Sequence, residues 1–204
     1  MIVVIDYNVG NVKSVRNALD YLGIEDELSA DPARIAAADG IILPGVAAFG
    51  YAIQALGPTA EVVRRTALSG KPLLGICVGF QLLFDHSCEL GEHDGLGLIA
   101  GQVVPIPNDQ TVPHMGWNAV RPADGMDLFD GLRAEEHFYF AHSFHARIGD
   151  PQVRVALTDY GRPMAAAVQK GTIYGLQFHP EKSGPVGMQV LRNFEAVCRR
   201  ASRC

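Results

Sequence analysis

Short, wholly apolar runs alternate with amphipathic stretches in the first half of the chain. Ile2 to Ile5 and Gly40-Ile41-Ile42-Leu43 show no polar alternation, which predicts strands buried on both faces. Between Asn11 and Leu22, the residues Val12, Val15, Leu19 and Leu22 recur at helical spacing, and Gly23 stands where a helix would stop. Thr59 to Leu68 reads as another helix, ended by Gly70-Lys71-Pro72. Pro72-Leu73-Leu74 opens a further buried run, and Phe80 to Phe84 predicts a helix after it. Strand and helix in this order predict a parallel sheet covered on both faces.

From Gln102 onward the pattern turns strand-rich. Gln102 to Pro105, Asn118 to Arg121, His137 to Ala141, Val153 to Leu157, Met164 to Gln169 and Thr172 to Phe178 read as short strands, and Gln169-Lys170-Gly171 as a hairpin turn. Gly184 begins a last helix, with Val190, Leu191, Phe194 and Val197 on its inner face. No linker, repeat or low-complexity segment interrupts the 204 residues. The expectation is one domain over 1–204: a three-layer α/β fold, its mostly parallel sheet flanked by helices, with an antiparallel extension.

Charge and cysteine usage narrow the setting. The net charge of −5 is mixed along the sequence. Its one basic concentration, Arg199-Arg200 with Arg203, reads as a frayed, solvated end, so nucleic acid is not expected. The apolar runs are too short to cross a bilayer, and Met1 to Asp6 lacks a basic leader, so a cytoplasmic protein is expected. Of the four cysteines none forms a Cys-x-x-Cys pair, which fits reduced thiols. Cys88 and Cys198 lie in stretches that read as apolar helices and are expected to pack there; Cys204 is terminal and expected to be exposed.

Cys77 has a different context. In Gly75-Ile76-Cys77-Val78-Gly79 it follows a predicted strand and precedes a predicted helix. A sharp turn there would lift the thiol off the end of a sheet and over the first N–H groups of a helix, where an anion is favoured. Glycines on both sides would relieve the crowding of such a turn. The same spacing also fits a structural cysteine in a buried strand. A second segment weighs against that alternative. Thr172 to Phe178 ends in His179-Pro180-Glu181, a histidine just past a strand end, where α/β sheets build their sites. Glu181, two residues on in an extended segment, projects to the same side and can orient the imidazole. Cys77, His179 and Glu181 thus form a nucleophile, base and orienter set.

These residues resemble the class I (triad) glutamine amidotransferases, whose elbow matches Gly75, Cys77, Gly79 and Gln81 and whose closing motif matches His179-Pro180-Glu181. Further segments are similar to the glutaminase subunits of imidazole glycerol phosphate synthase. They are Asp6 to Asn11 with Ser14, Leu43-Pro44-Gly45-Val46 with Phe49-Gly50, Pro113-His114-Met115-Gly116-Trp117-Asn118, Tyr139 to Ser143, and Gln177 to Gly184. The likeness covers essentially the whole chain. One position departs: Ala47 stands where the family carries a second glycine, which makes any positive-φ state there costlier by roughly 1 kcal/mol.

The resemblance implies a flavodoxin-like fold and hydrolysis of L-glutamine through a Cys77 thioester, with His179 as the base. It implies an oxyanion site from the Gly45–Val46 turn and the Val78 N–H, and substrate contacts from Gln81, Glu89, Ser143 and Phe144. It also implies a (βα)8-barrel cyclase subunit as heterodimeric partner, receiving the ammonia, with Asn11, Trp117, Asn118, Tyr139 and Lys182 as interface candidates. Trp117, the only tryptophan, lies in what reads as a turn. No cofactor is implied. His137, His142 and His145 lack a carboxylate or cysteine at ligand spacing, so no metal is expected, and no G-x-G-x-x-G follows the first strand. A triad glutaminase of another pathway, a cysteine hydrolase on a related fold and a non-catalytic regulatory subunit remain open.

Overall fold

The computed structural model describes residues 1–203; Cys204 lies outside them. The chain runs β1 (Ile2–Ile5), α1 (Val12–Tyr21), β2 (Asp26–Ser29), α2 (Pro32–Ala37), β3 (Gly40–Leu43), α3 (Phe49–Leu56), α4 (Thr59–Leu68), β4 (Leu73–Ile76) and α5 (Val78–Gln81). It continues through β5 (Phe84–Ser87), β6 (His93–Asp94), β7 (Ile99–Pro105), β8 (His114–Arg121), β9 (Glu136–His142) and β10 (Phe144–Ile148). The last elements are β11 (Arg154–Asp159), β12 (Pro163–Lys170), β13 (Ile173–Leu176) and α6 (Gly184–Ala201). A nine-stranded sheet, in the order β2-β1-β3-β4-β13-β12-β11-β8-β9, forms the spine. From β2 to β13 neighbouring strands are parallel; from β13 to β9 they are antiparallel. The sheet is therefore mixed, and the antiparallel extension continues it edge to edge. A smaller sheet, β10-β7-β5-β6, packs beside it.

The uninterrupted apolar runs are the strands at the centre. Every residue of β1, β3, β4 and β13 is buried. On α6, Val190, Leu191, Phe194 and Val197 are buried as their spacing requires. Gly23 follows α1 at φ 68, and its N–H reaches the Asp20 carbonyl. Among the described residues no helix is long and apolar enough to cross a membrane.

Several local expectations are corrected. The helix after Cys77 is one turn long, and the chain then enters β5, so Cys88 lies beyond a strand and is exposed. Gly116-Trp117-Asn118 is the middle of β8 rather than a turn. β13 stops at Leu176, and Pro180–Lys182 forms a 3-10 turn, so Glu181 reaches its histidine by a turn and not along an extended strand. Strand alternation run on past His142 would put Phe144 on one face with Phe138, Phe140 and His142; instead Phe144 and His145 begin β10, in the other sheet. Arg199 and Arg200 sit in the last turn of α6, where they complement the helix dipole, and Arg200 pairs with Asp127 at 3.6 Å; neither belongs to a frayed tail.

Candidate functional site

Register brings the two sequence segments together. β4 and β13 are parallel neighbours with Ile76 opposite Leu176, so the chain leaves both strands at the same rim, the usual place for a site in such sheets. Cys77 turns off β4 with φ 55 and ψ −108, a conformation costly for an L-residue. Close backbone approach explains the flanking glycines. A Cβ on Gly79 would lie 1.8 Å from the Leu43 carbonyl oxygen, and one on Gly75 would lie 2.5 Å from that of Gly79. His179 is fixed by its own backbone: its N–H donates to the Tyr139 carbonyl at 2.9 Å, and the Ser183 hydroxyl donates to its carbonyl at 2.6 Å.

The imidazole of His179 lines the same cavity as Cys77 and, through Nδ1, hydrogen-bonds Glu181 Oε1 at 2.9 Å. Both side chains of the His–Glu pair are almost wholly buried, at 3% and 1% exposure. Burial alone would pull the His179 pKa down; hydrogen bonds and attraction from Cys77 and Glu181 outweigh it and raise the value to about 9. Asn11 Nδ2 donates to the same Glu181 oxygen at 3.3 Å, supporting the carboxylate from behind.

A cavity of about 360 Å³ opens over Cys77 and His179 and takes in Val46, Gln81, Glu89 and Phe144. Gln81 is buried, its amide donating to the Phe144 carbonyl at 3.0 Å and to Gln177 Oε1 at 3.1 Å. Glu89 lies at the cavity edge, where Oε2 accepts the Phe49 N–H at 2.7 Å and caps α3. The expected oxyanion donor at Val78 is engaged: its N–H donates to the Gly45 carbonyl at 3.2 Å. Tyr7 donates its hydroxyl to the neighbouring Pro44 carbonyl. Ala47 is not among the positive-φ residues.

His142, set aside in the sequence for its lack of metal partners, lines this cavity. Its Nδ1 lies 2.8 Å from the Phe144 carbonyl and its Nε2 lies 3.0 Å from His114 Nδ1. A carbonyl only accepts, so His142 donates from Nδ1 and accepts at Nε2. Burial, foremost, holds its pKa down at about 3. A neutral two-histidine chain and Gln81 thus pin one carbonyl. The only sequence signal for this pairing was the strand alternation that turns His142 inward with Phe138 and Phe140.

Of the interface candidates, Trp117 is 54% exposed, beside Met115 at 64%, on one face of β8. Trp117 meets the Tyr139 ring edge-on at 6.2 Å, and Lys182 Nζ stands 5.9 Å above that ring. Asn118 faces elsewhere, donating to the Asp159 carbonyl at 2.8 Å.

Residues 3–197 match the model of the family described as glutamine amidotransferase class-I. The imidazole glycerol phosphate synthase subunit HisH of Lacticaseibacillus casei is 52% identical over 201 residues, covering 97% of this chain and 96% of that one. The same subunit of Symbiobacterium thermophilum is 45% identical over 200 residues, covering 97% and 94%. A solved glutamine amidotransferase structure, 21% identical, superposes with a TM-score of 0.76 over 98% of this chain and 100% of the other, a likeness of fold. The chain belongs to the class-I glutamine amidotransferases, in their imidazole glycerol phosphate synthase HisH branch.

Proposed function

We propose that this chain, as one glutamine amidotransferase domain over 1–204, hydrolyses L-glutamine with Cys77, His179 and Glu181 and passes the ammonia to a cyclase subunit. Cys77 attacks the side-chain amide as a thiolate, and the imidazolium of His179 protonates the departing nitrogen. A glutamyl thioester remains, and water deprotonated by His179 releases glutamate. Glu181 holds the imidazole in place and stabilises its charged form. Gln81 and the Ser143–Phe144 segment shape the amino-acid end of the cavity, and the Glu89 oxygen not used by Phe49 pairs with the α-ammonium. The observation that carries this reading is that Cys77 and His179 line one cavity, with His179 held through Nδ1 by the buried Glu181 carboxylate at 2.9 Å. A glutamine-mimicking electrophile is expected to label Cys77 and neither Cys88 nor Cys198, as read by peptide mass; labelling confined to the exposed Cys88 would refute it.

The partner is the (βα)8-barrel cyclase subunit of imidazole glycerol phosphate synthase, which uses the ammonia in histidine biosynthesis, and the pair works in the cytoplasm. Met115, Trp117, Tyr139 and Lys182 form its docking face. Tyr139 links that face to the base, because its carbonyl accepts the His179 N–H. An exposed tryptophan set among such neighbours is the type of side chain that dominates an interface. Trp117→Ala is expected to weaken cyclase binding by about 2 kcal/mol, roughly 30-fold in Kd. Calorimetric titration of the two subunits measures it, and an unchanged Kd would remove Trp117 from the contact.

A further inference from the structure

A second cleft, of about 470 Å³, lies where β10 meets β12. Alternation along β10 turns Phe144 toward the glutamine cavity, and His145 and Arg147 toward this cleft. His145 is only 6% exposed, and both of its ring nitrogens are buried without a hydrogen-bond partner. Arg162 crosses the cleft from the turn before β12. Its Nε is also buried and unpartnered, while Nη2 pairs with Asp109 Oδ2 at 2.5 Å. Arg147 is exposed beside them and makes no ion pair among the described residues.

Each unsatisfied side chain has an N–H with no acceptor. An imidazole has an N–H to donate in either tautomer, and a guanidinium nitrogen only donates. Leaving a buried donor unpaired is costly, and two such donors in one cleft with a nearby free guanidinium call for a shared acceptor. Burial, first, then the charge of Arg147 and more weakly that of Arg162, against an opposing contribution from the Ala146 backbone, hold the His145 pKa below its ordinary value, so the ring sits in a cationic surround. The carboxylate at its edge, Asp109, is already paired with Arg162.

We propose that this cleft binds a phosphate-sized oxyanion, held by His145, Arg147 and Arg162. The anion is free phosphate or the phosphoryl group of a small monoester. The proposal does not depend on the glutaminase reading, since none of these three residues touches Cys77 or His179.

The test is NMR of the His145 ring in the full chain. Inorganic phosphate and, separately, glycerol phosphate are titrated at ionic strength held constant with sodium chloride. A saturable shift of the His145 signals with either ligand is expected; saturation by phosphate alone identifies the free anion, and saturation by both shows that a monoester fits. Arg147→Gln, at an exposed position that leaves the core intact, is expected to weaken the apparent affinity roughly tenfold. Shifts that never saturate, or an unchanged curve for Arg147→Gln, would overturn the proposal.

Discussion

Cys77→Ala is expected to lower ammonia release from glutamine by on the order of 10⁶-fold, the loss typical when a nucleophile is removed from a cooperating triad. Alanine keeps the Cβ that the elbow already accommodates at φ 55, so the variant should fold and still bind glutamine. A second readout separates lost chemistry from lost structure. Hydrogen bonding and attraction from Cys77 are among the causes that lift His179 to about 9. Without the sulfur, the opposing effect of burial gains weight, and the His179 pKa measured by NMR should fall while its Glu181 contact persists. Cys88→Ala, which removes an exposed thiol, should leave turnover unchanged. Full activity in Cys77→Ala would place the nucleophile elsewhere.

The parallel half of the fold was legible because strands buried on both faces carry no polar residues. Ile2 to Ile5 and Gly40 to Leu43 are such runs, and both are fully buried in the sheet. β2 was not legible: as an edge strand it reads Asp-Glu-Leu-Ser, with every residue half-buried. α2 is short, but Asp31 caps it through the Ala33 N–H and Pro32 opens it, a cap signal present in the sequence. Phe80 to Phe84 shows the limit of periodicity. Phe80, Leu82, Leu83 and Phe84 are all wholly buried, and a run buried on every side cannot distinguish a helix from a strand. There the chain makes one turn and becomes β5.

The chemistry was more legible than its surroundings. Cys77, His179 and Glu181 could be paired because each sits at or just past the end of a buried strand, and strand ends in a parallel sheet share a rim. The contacts around them join segments far apart in sequence. Gln81 to Gln177, His114 to His142, Asn11 to Glu181 and Tyr7 to Pro44 leave no local spacing to read. The engagement of the Val78 N–H by the Gly45 carbonyl is of this kind: both groups belong to the backbone, so side-chain identity does not report it.

That engagement underlies the second large effect: adding the cyclase subunit with its nucleotide should raise glutamine turnover by about 10²–10³-fold, the worth of one oxyanion donor. With its N–H directed at the Gly45 carbonyl 3.2 Å away, Val78 is not free to receive the charge of a tetrahedral intermediate. The carbonyl itself presents negative charge where the oxyanion would form. Rotating the Gly45–Val46 peptide would withdraw that oxygen, release the Val78 N–H and turn the Val46 N–H inward. Glycine is free to make such a rotation, and the resting state itself needs it, since a Cβ on Gly45 would lie 2.8 Å from the Gly79 nitrogen and 3.0 Å from the Tyr7 hydroxyl. Val46 is half exposed, so little packing opposes the movement. The resting state is held chiefly by the Val78 and Tyr7 hydrogen bonds, each worth about 1 kcal/mol net, a balance that contacts across a docked interface are large enough to tip. Tyr7→Phe should therefore raise the turnover of the isolated chain and reduce the stimulation by the partner. Steady-state ammonia release with and without the cyclase decides the matter: equal rates would mean that the turn is already catalytically competent, and that the Val78–Gly45 bond does not restrain the enzyme.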